Sequence, residues 1–135
     1  MSYPLTDVPG IDDEVVRILK SVGIRSTERL LEAASSAKAR KLLSIKTGFD
    51  EKQLLCWANV ADRMRIKGIS REYAELLQAA GVDTVKELKY RNPVNLAKAM
   101  AEANRKRKMV RLLPSEKVVE RWIDHAKGLP LKITY

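Results

Sequence analysis

The chain has 135 residues with a formal net charge of +9, 45% hydrophobic and 32% charged residues, and a single cysteine. This is the composition of a folded, water-facing protein, and no apolar run approaches the roughly 20 residues that a membrane-spanning helix needs. Cys56 has no partner for an internal disulfide, which suits a reducing compartment. The opening residues Met1 to Asp7 carry neither the basic start nor the apolar stretch of a secretory signal, so a cytoplasmic location is expected.

In chain order, Val15, Val16, Ile18 and Leu19 share one helical face between Asp12 and Lys20, and Gly23 stands where a left-handed residue would end that helix. Ser26 is placed to cap a second helix that turns Leu30, Leu31 and Ala34 inward, and Ser35 or Ser36 opens a third through Leu42, Leu43 and Ile45 to Gly48. Asp50, with Gln53 three residues on, predicts a fourth helix carrying Leu54, Leu55, Trp57, Ala58 and Val60. The second half predicts a helix from Ser70 to Ala79, a capping box at Thr84 and Glu87, and a helix with Pro93 in its first position after Asn92. A last helix begins after Pro114-Ser115 and ends near Gly128, and Leu129 to Tyr135 reads as an extended tail. No stretch alternates as a strand would, so the expected fold is all-α.

These elements form a tandem repeat. Ser21-Val22-Gly23-Ile24 aligns with Ala79-Ala80-Gly81-Val82 at an offset of 58, and so do Val8-Pro9-Gly10-Ile11 with Ile66-Lys67-Gly68-Ile69, Ser26 with Thr84, and Leu30 with Leu88. Further on, Glu51-Lys52 and Trp57 align with Glu116-Lys117 and Trp122 at an offset of 65. Seven residues are therefore added in the second copy. They fall near Asn104 to Arg111, the most basic segment of the chain. We read residues 1–63 and 64–135 as two related four-helix units that share part of a core, a single unit of about 60 residues being marginal alone.

Charge divides along the same line. Residues 1–61 hold 9 Lys+Arg against 8 Asp+Glu, whereas residues 62–135 hold 17 against 9. A basic half beside a neutral one suits a polyanion, most often nucleic acid. Gly10 and Gly68 each stand two residues before a helix, where the backbone can turn and leave the first helical amides pointing outward at the positive end of the helix dipole. Such a turn suits a phosphate oxygen.

The arrangement resembles the helix-hairpin-helix motif of DNA repair and recombination proteins, which holds the duplex backbone without reading sequence. Gly23-Ile24-Arg25-Ser26-Thr27 with Leu30, repeated as Gly81-Val82-Asp83-Thr84-Val85 with Leu88, is similar to the helix-hairpin-helix domain at the N-terminus of strand-exchange recombinases. The whole chain, including Pro114-Ser115 and Trp122-Ile123, is similar to an uncharacterised bacterial family of tandem domains of this kind. Hairpins of the motif usually read Gly-apolar-Gly, whereas here the third position is Asp12 in the first copy and Ser70 in the second.

That difference separates the two hairpins. A phosphate about 4 Å from Asp12, Asp13 or Glu14 meets repulsion of roughly 1 kcal/mol in bulk water and about 4 at a partly shielded surface. Against this, each acid stabilises its own helix by roughly 0.3 to 1 kcal/mol. The first hairpin is thus read as structural, or as a contact for a basic protein surface. The second offers Lys67, Gly68, Ile69, Ser70 and Arg71 to an anion, unless Ser70 merely caps its own helix; Arg105, Lys106, Arg107, Lys108 and Arg111 extend the basic face, or form a solvated run.

Other residues invite chemistry without supporting it. Trp57 and Trp122, at equivalent positions of two apolar helices, are read as core anchors rather than stacking platforms. His125 and Cys56 stand alone, so no zinc-ligand set exists, and no serine triad assembles around His125. Tyr73 and Tyr90 are expected to be partly buried. The sequence therefore predicts a non-enzymatic, sequence-independent binder of duplex or branched DNA with no cofactor, no metal and no small-molecule substrate. The alternative is a protein-interaction or scaffolding module.

Overall fold

A computed structural model describes residues 2–135. Among these the chain is all-helical, with a 3-10 turn at Leu5–Asp7 followed by α1 (Asp13–Ser21), α2 (Thr27–Ala33), α3 (Ala37–Thr47), α4 (Glu51–Arg63), α5 (Arg71–Ala79), α6 (Val85–Lys89), α7 (Pro93–Arg107) and α8 (Glu116–Gly128). None of the described helices is long and apolar enough to cross a membrane.

The helices start where short polar side chains accept amides the helix itself cannot satisfy. Ser26 accepts from Arg29 N–H, Thr84 from Glu87, Asn92 from Asn95 and Ser115 from Val118. At α3 the cap is Ser36, which accepts from Ala39 at 3.1 Å, and at α4 it is Asp50, which accepts from Lys52 at 3.0 Å. The exits of α1 and α5 also match. Gly23 N–H donates to Lys20 and Ile24 N–H to Leu19, as Gly81 N–H donates to Gln78 and Val82 N–H to Leu77. These are the paired closing bonds of a Schellman turn.

Packing matches in part between the halves. α4 lies on α2 and α3 as α8 lies on α6 and α7, but α5 also lies on α7 while α1 makes no comparable contact with α3, and α4 touches α5 and α6. The buried apolar side chains form one continuous cluster from Leu5 and Val8 through Leu54, Met64 and Ile66 to Met100 and Trp122. Trp57 and Trp122 are each 2% exposed. Both indoles sit in the core, Trp57 edge-on to Phe49 and Trp122 tilted against Tyr73. Tyr90, expected to be partly buried, is exposed, and so are Leu42 and Ile45 of α3. Tyr90 caps the end of α6, where its ring meets Lys89 Nζ at 5.4 Å rather than the core.

Buried charge joins the halves. Arg63, at the end of α4, donates to the carbonyls of Asp83 and Ala74, and burial pushes its guanidinium below the ordinary arginine range. Its neighbour Asp62 is pushed up, chiefly by burial and against the pull of Arg65, whose Nε donates to it at 2.7 Å. The tail returns to the first half as a strap. Arg40, buried on α3, donates to the carbonyls of Ala34 at 2.8 Å and Thr134 at 2.6 Å, and Thr134 N–H donates to Ser35 O at 2.8 Å. Ile133 enters the core between these bonds and the Arg65–Pro130 contact.

Candidate functional site

Gly10 and Gly68 both turn with positive φ, +88° and +94°. Each turn lies directly on a tryptophan. A β-carbon added to Gly10 would fall 3.4 Å from Trp57 Nε1, and one added to Gly68 would fall 3.1 Å from Trp122 Nε1. The backbone angle favours glycine at both turns, and at Gly68 the indole behind it also leaves a β-carbon little room. Ile11 N–H then donates to Val8 O and Ile69 N–H to Ile66 O, both at 3.1 Å, closing the two turns identically.

The starts of the following helices differ. At α1 the Asp12 carboxylate accepts Val15 N–H at 2.9 Å, and Asp13 and Glu14 fill the first turn, with Glu14 paired to Arg17. At α5, Ser70 has nearly the same backbone angles as Asp12 but makes no side-chain cap bond. The alternative of a serine that caps its own helix is therefore not met. The dipole end that Asp12 satisfies from within at α1 has no such side chain over it at α5.

A cleft of about 400 Å³ opens beside Gly68, lined by Lys67, Val118, Arg121, Trp122 and His125. His125 Nδ1 accepts Lys67 N–H at 3.3 Å, which leaves the ring proton on Nε2 in the neutral form. Arg121 and His125 were not anticipated as members of this site. On α8 His125 lies three positions after Trp122 and four after Arg121, so once Trp122 is placed behind Gly68 His125 follows from helical spacing, and Arg121 shares the face of His125. Without that contact no local pattern singles them out.

The basic segment divides in two. Arg105 makes two hydrogen bonds to Glu102, at 3.1 and 2.6 Å, and Lys106 lies 3.9 Å from the same carboxylate. The Arg105 hydrogen bond holds the Glu102 carboxyl below its usual range. Arg107 ends α7, and Lys108 follows in the left-handed region with φ 44°. The chain then folds back on Asn104, whose Oδ1 accepts the amides of Met109 and Val110. Of the seven added residues, some lengthen α7, which has 15 residues against the 11 of α3, and the rest enter the 108–115 connection.

This connection reaches the start of α5. Tyr73 OH donates to Leu112 O at 2.8 Å, and a hollow of about 550 Å³ is lined by Glu72, Tyr73, Lys108, Val110 and Arg111 among others. Tyr73 therefore touches both features, its ring meeting Trp122 of the cleft at 5.4 Å and its edge lining the hollow. Lys67, Gly68, Lys108 and Arg111 are brought around the first turn of α5, with Glu72 as an opposing carboxylate in the hollow. Ile69 is fully buried and its amide is spent on Ile66. Arg71 donates to Thr6 O of the first half at 3.3 Å and pairs with Glu75 at 3.5 Å.

The family described as "Domain of unknown function (DUF4332)" matches residues 9–129, which take in both glycine turns and all of α1 to α8, and the chain belongs to it. No curated protein and no solved structure matches the chain.

Proposed function

We propose that this member of the DUF4332 family is a non-enzymatic DNA-binding protein of the cytoplasm, built as two tandem helix-hairpin-helix units, that grips duplex or branched DNA by its phosphates. The second hairpin makes the contact and the first holds the scaffold. One observation carries the reading: Ser70 leaves its helix without a side-chain cap beside a cleft of Lys67, Arg121 and His125, while Asp12 fills the equivalent place with an internal carboxylate.

A phosphate oxygen at the start of α5 would take the amides and dipole end that Asp12 takes at α1, with Lys67 and Arg121 beside it. Lys108 and Arg111, on the far end of Tyr73's contacts, would meet further phosphates. Arg105 and Lys106 already neutralise Glu102 and contribute less. Backbone contacts of this kind carry no base readout, so binding is independent of sequence.

The test is fluorescence anisotropy of the full chain against a labelled duplex of about 20 base pairs at two salt concentrations. Engagement of about four phosphates gives a log-log salt slope of about −3.6 and a loss of roughly a hundredfold between 50 and 200 mM salt. Lys67→Glu combined with Arg111→Glu lowers affinity and reduces the slope by about 0.9 for each contact removed. Salt-insensitive binding, or no binding at low salt, overturns the proposal and leaves the helical repeats as a protein-contact scaffold.

A further inference from the structure

α3 carries apolar residues on two opposite faces. Its inner face sends Leu43 into the core and Arg40 to the strap of the C-terminal tail. On the outer face Leu42 is 52% exposed and Ile45 74% exposed. At 100° per residue, Ile45 and Leu42 sit at the centre of that outer face, with Lys41 on one flank, Lys46 on the other and Lys38 in line one turn earlier. The helix contains no acidic residue. Two large aliphatic side chains three positions apart have the spacing of one a and d pair of a helix-helix seam, with Lys41 and Lys46 at its g and e positions and Lys38 at the preceding d.

We infer that the outer face of α3 is a docking surface for an acidic amphipathic helix of a partner protein, independent of any nucleic-acid contact made by the second glycine turn. Leu42 and Ile45 supply the apolar seam, and Lys41 and Lys46 select glutamate or aspartate on the partner's flanks. A second copy of this chain is the wrong occupant, because a two-fold contact would set lysine against lysine. Phosphates gain nothing from Leu42 and Ile45, which a DNA-facing surface would replace with polar groups. The platform is rigid: Ser36 caps its start, α4 packs beneath it, and Arg40 ties it to Thr134.

The test uses the full chain, isotopically labelled for amide-shift mapping by NMR, and three synthetic helical peptides. One has leucine at a and d with glutamate at e and g, one has the same seam with lysine at e and g, and one has serine in the seam with glutamate at e and g. The inference expects the first alone to shift the amides of α3. Lys41→Glu with Lys46→Glu should weaken it about tenfold, and Leu42→Ser with Ile45→Ser should abolish the shifts while the circular dichroism spectrum stays that of the parent. Equal binding by the acidic peptide with a serine seam, or shifts confined to other helices, overturns the inference by reducing it to general attraction to a basic protein. Concentration-dependent dimerisation through α3, or capture by anionic phosphatidylserine vesicles lost in the Leu42→Ser, Ile45→Ser variant without peptide binding, overturns it in favour of a different occupant.

Discussion

The glycine turn before α1 and the glycine turn before α5 share their backbone and part company in the residue that stands just before the helix. Both rest on an indole, close with the same hydrogen bond and lead into a nine-residue helix. Asp12 then satisfies its helix from inside the molecule, whereas Ser70, in the same conformation, does not. The comparison teaches that two turns of matching backbone can differ, by one side chain, in whether the helix that follows is capped from within. The shared support of the turns is also what a mutation should hurt most, and it should hurt at both.

The largest effect is expected at the tryptophans. Trp57→Ala and Trp122→Ala each empty a core position and remove the surface on which a turn lies, at a cost of about 3–5 kcal/mol. Urea denaturation of the two variants checks the equivalence. A loss confined to one of them would show that the turns, despite their shared geometry, are not supported alike.

Much of this pairing was legible because it is local or periodic. Gly10 and Gly68, the caps Ser26 and Thr84, and the matched tryptophans recur at offsets that need no structure to be seen. What escaped is what depends on contacts across the chain. Ser70 can be read as facing an anion or as capping its own helix, and only its actual hydrogen bonding shows that it makes no cap. Arg71 reads as a free cation at the turn, yet it meets Thr6 65 residues away. Leu42, Leu43 and Ile45 read alike along the third helix because apolar spacing does not say which face has a neighbour, and the structure buries Leu43 with Arg40 while leaving Leu42 and Ile45 exposed. Arg121 and His125 belonged to no pattern until Trp122 was placed behind Gly68.

The tail offers a sharper break between the halves, since its strap crosses only the first. Removing residues 131–135 takes Thr134 O from the buried Arg40 guanidinium and Ile133 from the core. A destabilisation of about 1–3 kcal/mol is expected for the unpaired buried group. Hydrogen exchange followed by mass spectrometry should show protection lost in α3 and α4 ahead of α7 and α8. Uniform loss would mean that the strap braces the whole molecule rather than one half.

Alanine at the two glycines probes the turns themselves. An L-residue held at these positive φ values costs about 1–2 kcal/mol, and Gly68→Ala adds the tighter approach to Trp122, 3.1 Å against 3.4 Å at Gly10. Thermal unfolding should therefore rank Gly68→Ala below Gly10→Ala, with both below the parent. The reverse order would show that Trp122 yields more readily than Trp57.

The smallest effect is a pH dependence peculiar to the end of α4. Burial raises the Asp62 carboxyl above its ordinary 3.8, with Arg65 pulling the other way. The folded chain then holds a proton over a window, beginning near 3.8, in which the unfolded chain has released it. Its contribution to stability is complete below that value and falls away as the pH rises through the folded value. Glu102, held low by Arg105, has the opposite sign, its contribution being lost as the pH falls below 4.5, and its full exposure makes that contribution small. The position 65 residues after Asp62 is Lys127, so the second half has no matching carboxyl. Asp62→Asn should therefore flatten the fall in stability on the weakly acidic side, read as urea midpoints at closely spaced pH values, while the parent retains it. An unchanged profile would place the acid response elsewhere and remove buried charge at the α4 end from the differences between the halves.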